Sequence, residues 1–251
     1  SLYNKTIKQK FVGFFVNKMY KISLKSNKKI FFQNQDDLNF FVLKKIIKNV
    51  NNTVKINGSG VDLDYFYKSK PQNKNLKFLI IARLLKEKGI LNFLDAAENL
   101  KKKYPDSSYH IIGWKDNGPS AVDMHQIRRL HENKTIYYHG YQADVRKFIE
   151  ECSVFVLPSF REGTPRTCLE AMSMCKPIIT CETPGCKETV ISEYNGFLVP
   201  VNNSKKLIDA MEKFILNPKI ITKMGENSRL LAEKLFDVHS VNKAIINELG
   251  L

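Results

Sequence analysis

From residue 77 onward the chain alternates short apolar runs with amphipathic stretches, and that rhythm leaves few folds open. Leu79-Ile80-Ile81-Ala82, Tyr109-His110-Ile111-Ile112-Gly113, Thr135-Ile136-Tyr137-Tyr138, Val154-Phe155-Val156-Leu157 and Pro177-Ile178-Ile179-Thr180 each read as a buried strand. Helical stretches follow at about 89–103, 120–132, 145–150, 165–174 and 186–192. Short apolar strands separated by helices belong to a parallel sheet covered on both faces, so the expected class is α/β with a doubly wound, Rossmann-like sheet. Two or three further helices close the chain, at about 204–216, 218–235 and 239–248.

The leading part has a different rhythm. Residues 5–25 carry Phe11, Phe14, Phe15, Met19 and Ile22 on one face with lysines between them, a helical pattern. Ile30-Phe31-Phe32 is a short strand, and a helix begun by Asp36 or Asp37 runs through Leu38, Phe41, Ile46 and Ile47. Thr53-Val54-Lys55-Ile56 is a second strand ending in the turn Asn57-Gly58-Ser59-Gly60, and the polar stretch 65–76 with Pro71 reads as a linker.

Charge separates the two parts. Of a net +15, residues 1–57 supply +10, from 12 lysines and 2 aspartates. A basic lead points to anionic partners such as a membrane surface, nucleic acid or a phosphate-bearing acceptor, or to solvated lysine alone. The Phe11–Val16 run is broken by Gly13 and then by Asn17 and Lys18, too short for a membrane-spanning helix, and without a small-residue cleavage site it is not expected to be a signal peptide. Five cysteines crowd between 152 and 186 with no C-x-x-C pair, so reduced core thiols are expected and a structural metal is not.

Chemistry concentrates after the fourth strand of the alternating region, in Ser159-Phe160-Arg161-Glu162-Gly163-Thr164-Pro165-Arg166-Thr167-Cys168-Leu169-Glu170. This is a strand end, a glycine-bearing turn and a helix starting at Pro165 with Thr164 as cap. Helix-start N–H groups suit phosphate, and the carboxylates of Glu162 and Glu170 suit sugar hydroxyls. In an open parallel sheet that edge is where ligands bind.

These motifs, with others in order, resemble the retaining glycosyltransferases of family four, which have the two-domain GT-B fold. Asn57-Gly58-Ser59-Gly60-Val61-Asp62 resembles the family's interdomain hinge, and Arg83 to Gly89 its Arg-x-x-x-x-Lys-Gly signature. His139-Gly140-Tyr141 resembles the strand end near the base, Glu162 to Glu170 the Glu-seven-Glu motif, and Thr183-Pro184-Gly185-Cys186-Lys187-Glu188 the loop that follows. The resemblance implies that Arg83 and Lys88 hold the diphosphate of a nucleotide sugar. It implies that Glu162, with the backbone of Gly163, Thr164, Pro165 and Arg166, binds the donor sugar and phosphates. Glu170 would take the ribose, and the turn after Gly113 and the Tyr141 backbone would border the base. Arg83, Lys88 and Glu162 are thus the catalytic candidates, and no metal or other cofactor is expected.

The implied division is 1–57, the last part of an acceptor domain; 58–76, hinge and linker; 77–236, the nucleotide-sugar domain; and 237–251, a helix crossing back. Family members run longer, and the chain starts at Ser1, so it is expected to enter the acceptor domain near its end. The expected activity is transfer from a UDP-sugar, with N-acetylhexosamine preferred, to a surface polysaccharide or polyprenyl-linked acceptor. The expected setting is cytoplasmic, peripheral on the inner membrane face, with an anionic membrane surface as partner and no nucleic acid. Two rivals stand beside this: a UDP-sugar epimerase on the same fold, and a non-catalytic basic module binding nucleic acid.

Blander readings remain for single residues. Glu170 could pair with Arg166 one turn earlier, Arg83 and Lys88 could be surface charges, and Gly113 and Gly185 plain turn glycines. Trp114 either stacks on a base or packs. Asp62-Leu63-Asp64 has the spacing of a metal-chelating pair but sits where Asp closes turns. The first helix reads as packing on a domain portion outside the chain, or as lying on a bilayer.

Overall fold

The computed structural model describes residues 7–72 and 75–251; residues 5 and 6 of the expected first helix, and 73 and 74 of the expected linker, lie outside the described residues. Helix α1 (Ile7–Ser23), strand β1 (Ile30–Phe32), helix α2 (Gln35–Leu43) and strand β2 (Thr53–Lys55) come first, and β1 and β2 pair in parallel. Helix α2 starts earlier than the sequence suggested. Its cap is Asn34, whose side chain accepts from the Asp37 amide, so Asp36 and Asp37 fall in the first turn instead of capping. Ile46 and Ile47 are buried in the turn after the helix, not on it. Helix α1 leaves Phe11, Phe14, Met19 and Ile22 each more than half exposed and touches α2 through a Tyr20–Phe41 ring contact.

Six strands then form one parallel sheet: β3 (Lys77–Ile81), β4 (Ser108–Ile112), β5 (Tyr137–Tyr138), β6 (Val154–Leu157), β7 (Ile178–Cys181) and β8 (Gly196–Val199). Their order is β5-β4-β3-β6-β7-β8. The chain winds outward from β3 through β4 to β5, then returns to the other side of β3 and winds outward again. Helices α3 (Ile90–Lys103), α4 (Met124–Glu132), α5 (Arg146–Glu151) and α6 (Arg166–Ser173) connect these strands, and α7 (Ser204–Leu216), α8 (Lys219–Leu235) and α9 (Val238–Leu249) follow.

Burial explains why these runs became sheet. Strands β6 and β7 are buried at every position and β3 at four of five. Phe78 of β3 stacks on Tyr109 of β4 with centroids 5.6 Å apart, and Phe93 of α3 meets Tyr109 edge-on. In α3 the buried Ile90, Phe93, Leu94, Ala97 and Leu100 follow one helical face. Each such fully buried Leu, Ile or Phe contributes about 1.5–3 kcal/mol.

Four local expectations change. The helix expected over 186–192 is a single turn, Lys187–Thr189, because Asn195 takes over: its side chain accepts from Ile191 N and donates to Thr189 O, turning the chain into β8. Strand β8 itself, Phe197-Leu198-Val199 behind Gly196, escaped the sequence reading. Helix α4 begins at Met124, not near 120, since Lys115 and Ala121 bridge to Leu84 and Leu85. Thr164 does not cap α6. Pro165 holds that position, and no side chain caps the helix.

The stretch expected as a linker runs along the sheet domain. Phe66, Ser69 and Leu76 are buried; Ser69 donates to Met174 O at 2.6 Å and Ser173 to Phe66 O at 2.6 Å. The guanidinium of Arg229 on α8 donates from Nη1 to Leu63 O, Phe66 O, Ser173 O and Ser173 Oγ within 3.3 Å. Val61 bridges Asp237 in parallel, and α9 then carries Glu248 to Lys29, 2.7 Å away.

Helix α8 packs beside α6 through Gly225. A Cβ there would stand 2.2 Å from the Cys175 carbonyl oxygen, a backbone atom that cannot swing aside. Helix propensity alone favours Ala by about 1 kcal/mol. The overlap reverses that sign: Gly225→Ala is expected to destabilise by about 1–3 kcal/mol in urea titrations. At Gly13, where a Cβ meets nothing within 4 Å, Ala should be neutral or stabilising. A stabilised Gly225→Ala variant would contradict the close α6–α8 approach.

Candidate functional site

Where strand order reverses beside β3, the loops after β3, β4 and β6 diverge and leave a crevice at the sheet's carboxyl edge. A cavity of about 240 Å³ fills it, lined by Arg83 after β3, Gly113 after β4, and Glu162, Pro165 and Arg166 after β6, with Lys88 and Tyr141. Seven of the ten residues singled out from sequence thus meet in one place. Glu170 lines a neighbouring cavity of about 330 Å³ with Gly60, Asp62 and Tyr65, and Arg166 lines both. Gly163 and Thr164 line neither. They face the turn between β1 and α2 instead, where Asn34 donates to Gly163 O at 3.0 Å and Thr164 Oγ1 donates to Gln33 O at 3.4 Å.

Backbone ties bring together residues far apart in sequence. The Glu87 carbonyl accepts from Phe160 N at 2.8 Å and from Ser159 Oγ at 3.2 Å, holding the turn after β3 against the loop after β6. That contact sets Lys88 Nζ 2.5 Å from Glu162 Oε1, an ion pair with both side chains under a fifth exposed. Glu162 N donates to Pro184 O at 3.1 Å, joining the loop to the one after β7. Gly185 completes that junction: at φ 83° it lies in the left-handed region, and a Cβ would stand 2.2 Å from Glu162 O. Only glycine fits there. Gly113 has a related duty, since a Cβ on it would meet Ala82 O at 1.8 Å.

Arg83 is half exposed and lies 3.6 Å from Asp116, a partner the sequence did not suggest. Helix α6 aims its start at the cavity with no side-chain cap, so its first N–H groups and positive dipole end stay available to an anion. Trp114 and Tyr141, both largely exposed, stand edge to face at the far end with centroids 5.8 Å apart. Behind them Gly113 N donates to Gly140 O at 2.9 Å and the Tyr138 hydroxyl to Gly113 O at 3.0 Å.

A histidine pair, not singled out from sequence as a site, lies under this end. His110 Nδ1 and His139 Nε2 share a hydrogen bond of 3.0 Å, and His110 Nε2 is 3.0 Å from Ser108 Oγ. Burial, then His139 and Lys77, brings the His110 pKa down to about 4, and burial lowers that of His139. Burial raises the Glu170 pKa, and Arg166 offsets this only in part. The Asp62 carboxylate is used locally, accepting from Asp64 N at 3.0 Å and Tyr65 N at 2.8 Å, so it closes a turn. All five cysteines are buried and free.

The model of a family described as glycosyl transferases group 1 matches residues 63–231. The N,N'-diacetylbacillosaminyl-diphospho-undecaprenol alpha-1,3-N-acetylgalactosaminyltransferase of Campylobacter jejuni is 26% identical over 88% of this chain and 60% of its own length. The UDP-Gal:alpha-D-GlcNAc-diphosphoundecaprenol alpha-1,3-galactosyltransferase of Escherichia coli is 30% identical over 61% of this chain and 39% of its own. The chain therefore spans well under two thirds of the length of these curated relatives. Among solved structures, Anabaena Alr3699/HepE in complex with UDP superimposes with a TM-score of 0.82 at 22% identity, covering 95% of this chain and 69% of that one. That likeness gives the fold, a GT-B-type α/β architecture with a six-stranded parallel sheet. With more than half of its length matched by the family model, the chain belongs to the group 1 glycosyl transferases.

Proposed function

We propose that this chain carries the donor-binding half of a retaining glycosyltransferase. It takes a sugar from a UDP-sugar, N-acetylhexosamine by preference, and delivers it to a polyprenyl-linked or surface-polysaccharide acceptor. The observation that carries the reading is the crevice at the strand-order reversal, where Arg83, Lys88, the uncapped α6 start and Glu162 converge on one volume. Departure of a nucleoside diphosphate gathers negative charge on phosphate oxygens, and fixed donors lower that barrier only if held in place beforehand. Arg83 offers paired donors and Lys88 a compact charge pinned by Glu162. Glu162 and the backbone of Gly163 to Arg166 take the donor sugar and phosphates. Glu170 takes the ribose hydroxyls from the adjoining cavity, and Gly113 and Tyr141 border the uracil.

Two further points belong to the same reading. The reaction proceeds without metal: the Asp62 carboxylate is engaged in its own turn, and the cations supply the charge. The acceptor and setting are supported by the curated relatives, whose names contain undecaprenyl-diphosphate-linked sugars, and by α1, whose exposed phenylalanines amid lysines suit the face of an anionic membrane.

UDP is expected to raise the melting temperature in the presence of EDTA, because a ligand bound only by the folded state stabilises it. Arg83→Ala and Glu170→Ala should each remove the shift; a shift surviving in both variants would refute the site. A second expectation concerns the unliganded protein. Since burial raises the Glu170 pKa in the folded state, stability present below the ordinary carboxylate range is lost as pH rises through the raised value. Glu170→Gln should therefore melt higher than wild type near pH 7 and equally near pH 3.5, below both pKa values. A difference independent of pH would mean the carboxyl is not desolvated.

A further inference from the structure

The turn between β1 and α2 presses onto the loop that carries Glu162. Asn34 at its centre is fully buried. Its Oδ1 accepts from Asp37 N at 2.8 Å, capping α2, while its Nδ2 donates to Asp37 Oδ2 at 2.9 Å and crosses to Gly163 O at 3.0 Å. Beside it Asp37 pairs with Arg161, and Asp36 pairs with Lys187 at 2.7 Å. These contacts land on two loops, one after β6 and one after β7, which Glu162 N joins through Pro184 O.

We propose that Asn34, assisted by Asp36 and Asp37, is a positioning latch that holds the turn between β1 and α2 on the loop after β6, fixing the Gly163 carbonyl and thereby the pose of Glu162. The proposal rests on the functional reading of the Glu162 cavity given above. Capping explains only half of Asn34: Asp, Ser or Thr would cap as well through an oxygen. Only an amide caps with its oxygen while donating from its nitrogen to a carbonyl on another domain. The flanking ion pairs are part-exposed, with Arg161 59% and Lys187 41% accessible, and such pairs contribute little individually. The weight therefore falls on the buried amide, and the two pairs set its register. Glu162 reaches the pocket already braced by Lys88 on one side, and the latch braces its neighbour on the other.

Spin labels at Asn39→Cys on α2 and Lys102→Cys on α3, both exposed sites, read the interdomain distance by pulsed dipolar spectroscopy, the native cysteines being buried. The labelled parent should give one narrow distance. Asn34→Asp keeps the cap yet turns a carboxylate toward the Gly163 carbonyl, so the distribution should broaden and calorimetric UDP affinity fall about five- to tenfold. Asp37→Arg sets like charges against Arg161 and strips Asn34 Nδ2 of one acceptor, so it should also broaden the distance; adding Arg161→Asp should restore it only in part, because the Asn34 bond to Asp37 stays lost, whereas an ion pair acting alone would be rescued in full. Distributions unchanged in both single variants overturn the latch. So does UDP affinity within twofold of the parent in Asn34→Asp. Should the parent itself take up no UDP, the functional reading fails while the distances still decide the latch.

Discussion

The parallel pairing of β3 with β4 on one side and β6 on the other is the constraint from which the site follows. Parallel strands send all their carboxyl ends to one edge, and connections that depart in opposite directions from β3 cannot cover that edge between them. The crevice is a by-product of winding order. What the sequence adds is chemistry at each strand end: a cation after β3, a glycine after β4, a carboxylate and an uncapped helix after β6. The hydrophobic burial that fixes strand register also fixes where these groups stand, so the geometry of the crevice is inherited from core packing.

Within that frame the protein spends stability on function. A largely buried Lys88–Glu162 pair gives up hydration that its mutual attraction restores only in part, and a buried Glu170 carboxyl does the same with a weaker partner. An α6 start without a cap forgoes a contribution of about 1 kcal/mol. The histidine pair beneath Gly140 has the opposite character: part-buried and mutually hydrogen bonded, with burial lowering both pKa values, it finds its partner within the protein.

Much of this was legible in the sequence. The five apolar runs became β3 to β7 because a strand buried on both faces has no other composition available to it. Seven of the ten singled-out residues share the cavity because their motifs sit at strand ends, where topology collects them. What could not be read depended on contacts across long separations or on single side chains. Strand β8 is short, and Asn195, one residue before it, decides between helix and turn through its own side chain. The α2 cap moved to Asn34 because three consecutive polar residues follow it, and spacing does not say which one closes the turn. Nothing in the local pattern paired Asp116 with Arg83 or Asn34 with Gly163, which lie 33 and 129 residues apart. Polar composition made 65–76 look like a linker, yet composition is silent about a serine hydroxyl that buries itself on a distant carbonyl.

Arg229 carries a consequence of its own. One nitrogen of this guanidinium is shared among three carbonyls and a hydroxyl, while its Nε donates to Glu233 at 2.6 Å. A flat, multiply branched cation can serve a convergence of that kind, whereas an ammonium on a single stem cannot reach both the carboxylate and the carbonyls. The strap from Leu63 to Phe66, the end of α6 and the middle of α8 are thus riveted at a single point. Since α6 also supplies Glu170 and the strap flanks it, a distant helix on the outer layer holds the wall of the cavity that Glu170 lines. Movement of α8 would be felt there before any residue of the cavity itself had changed.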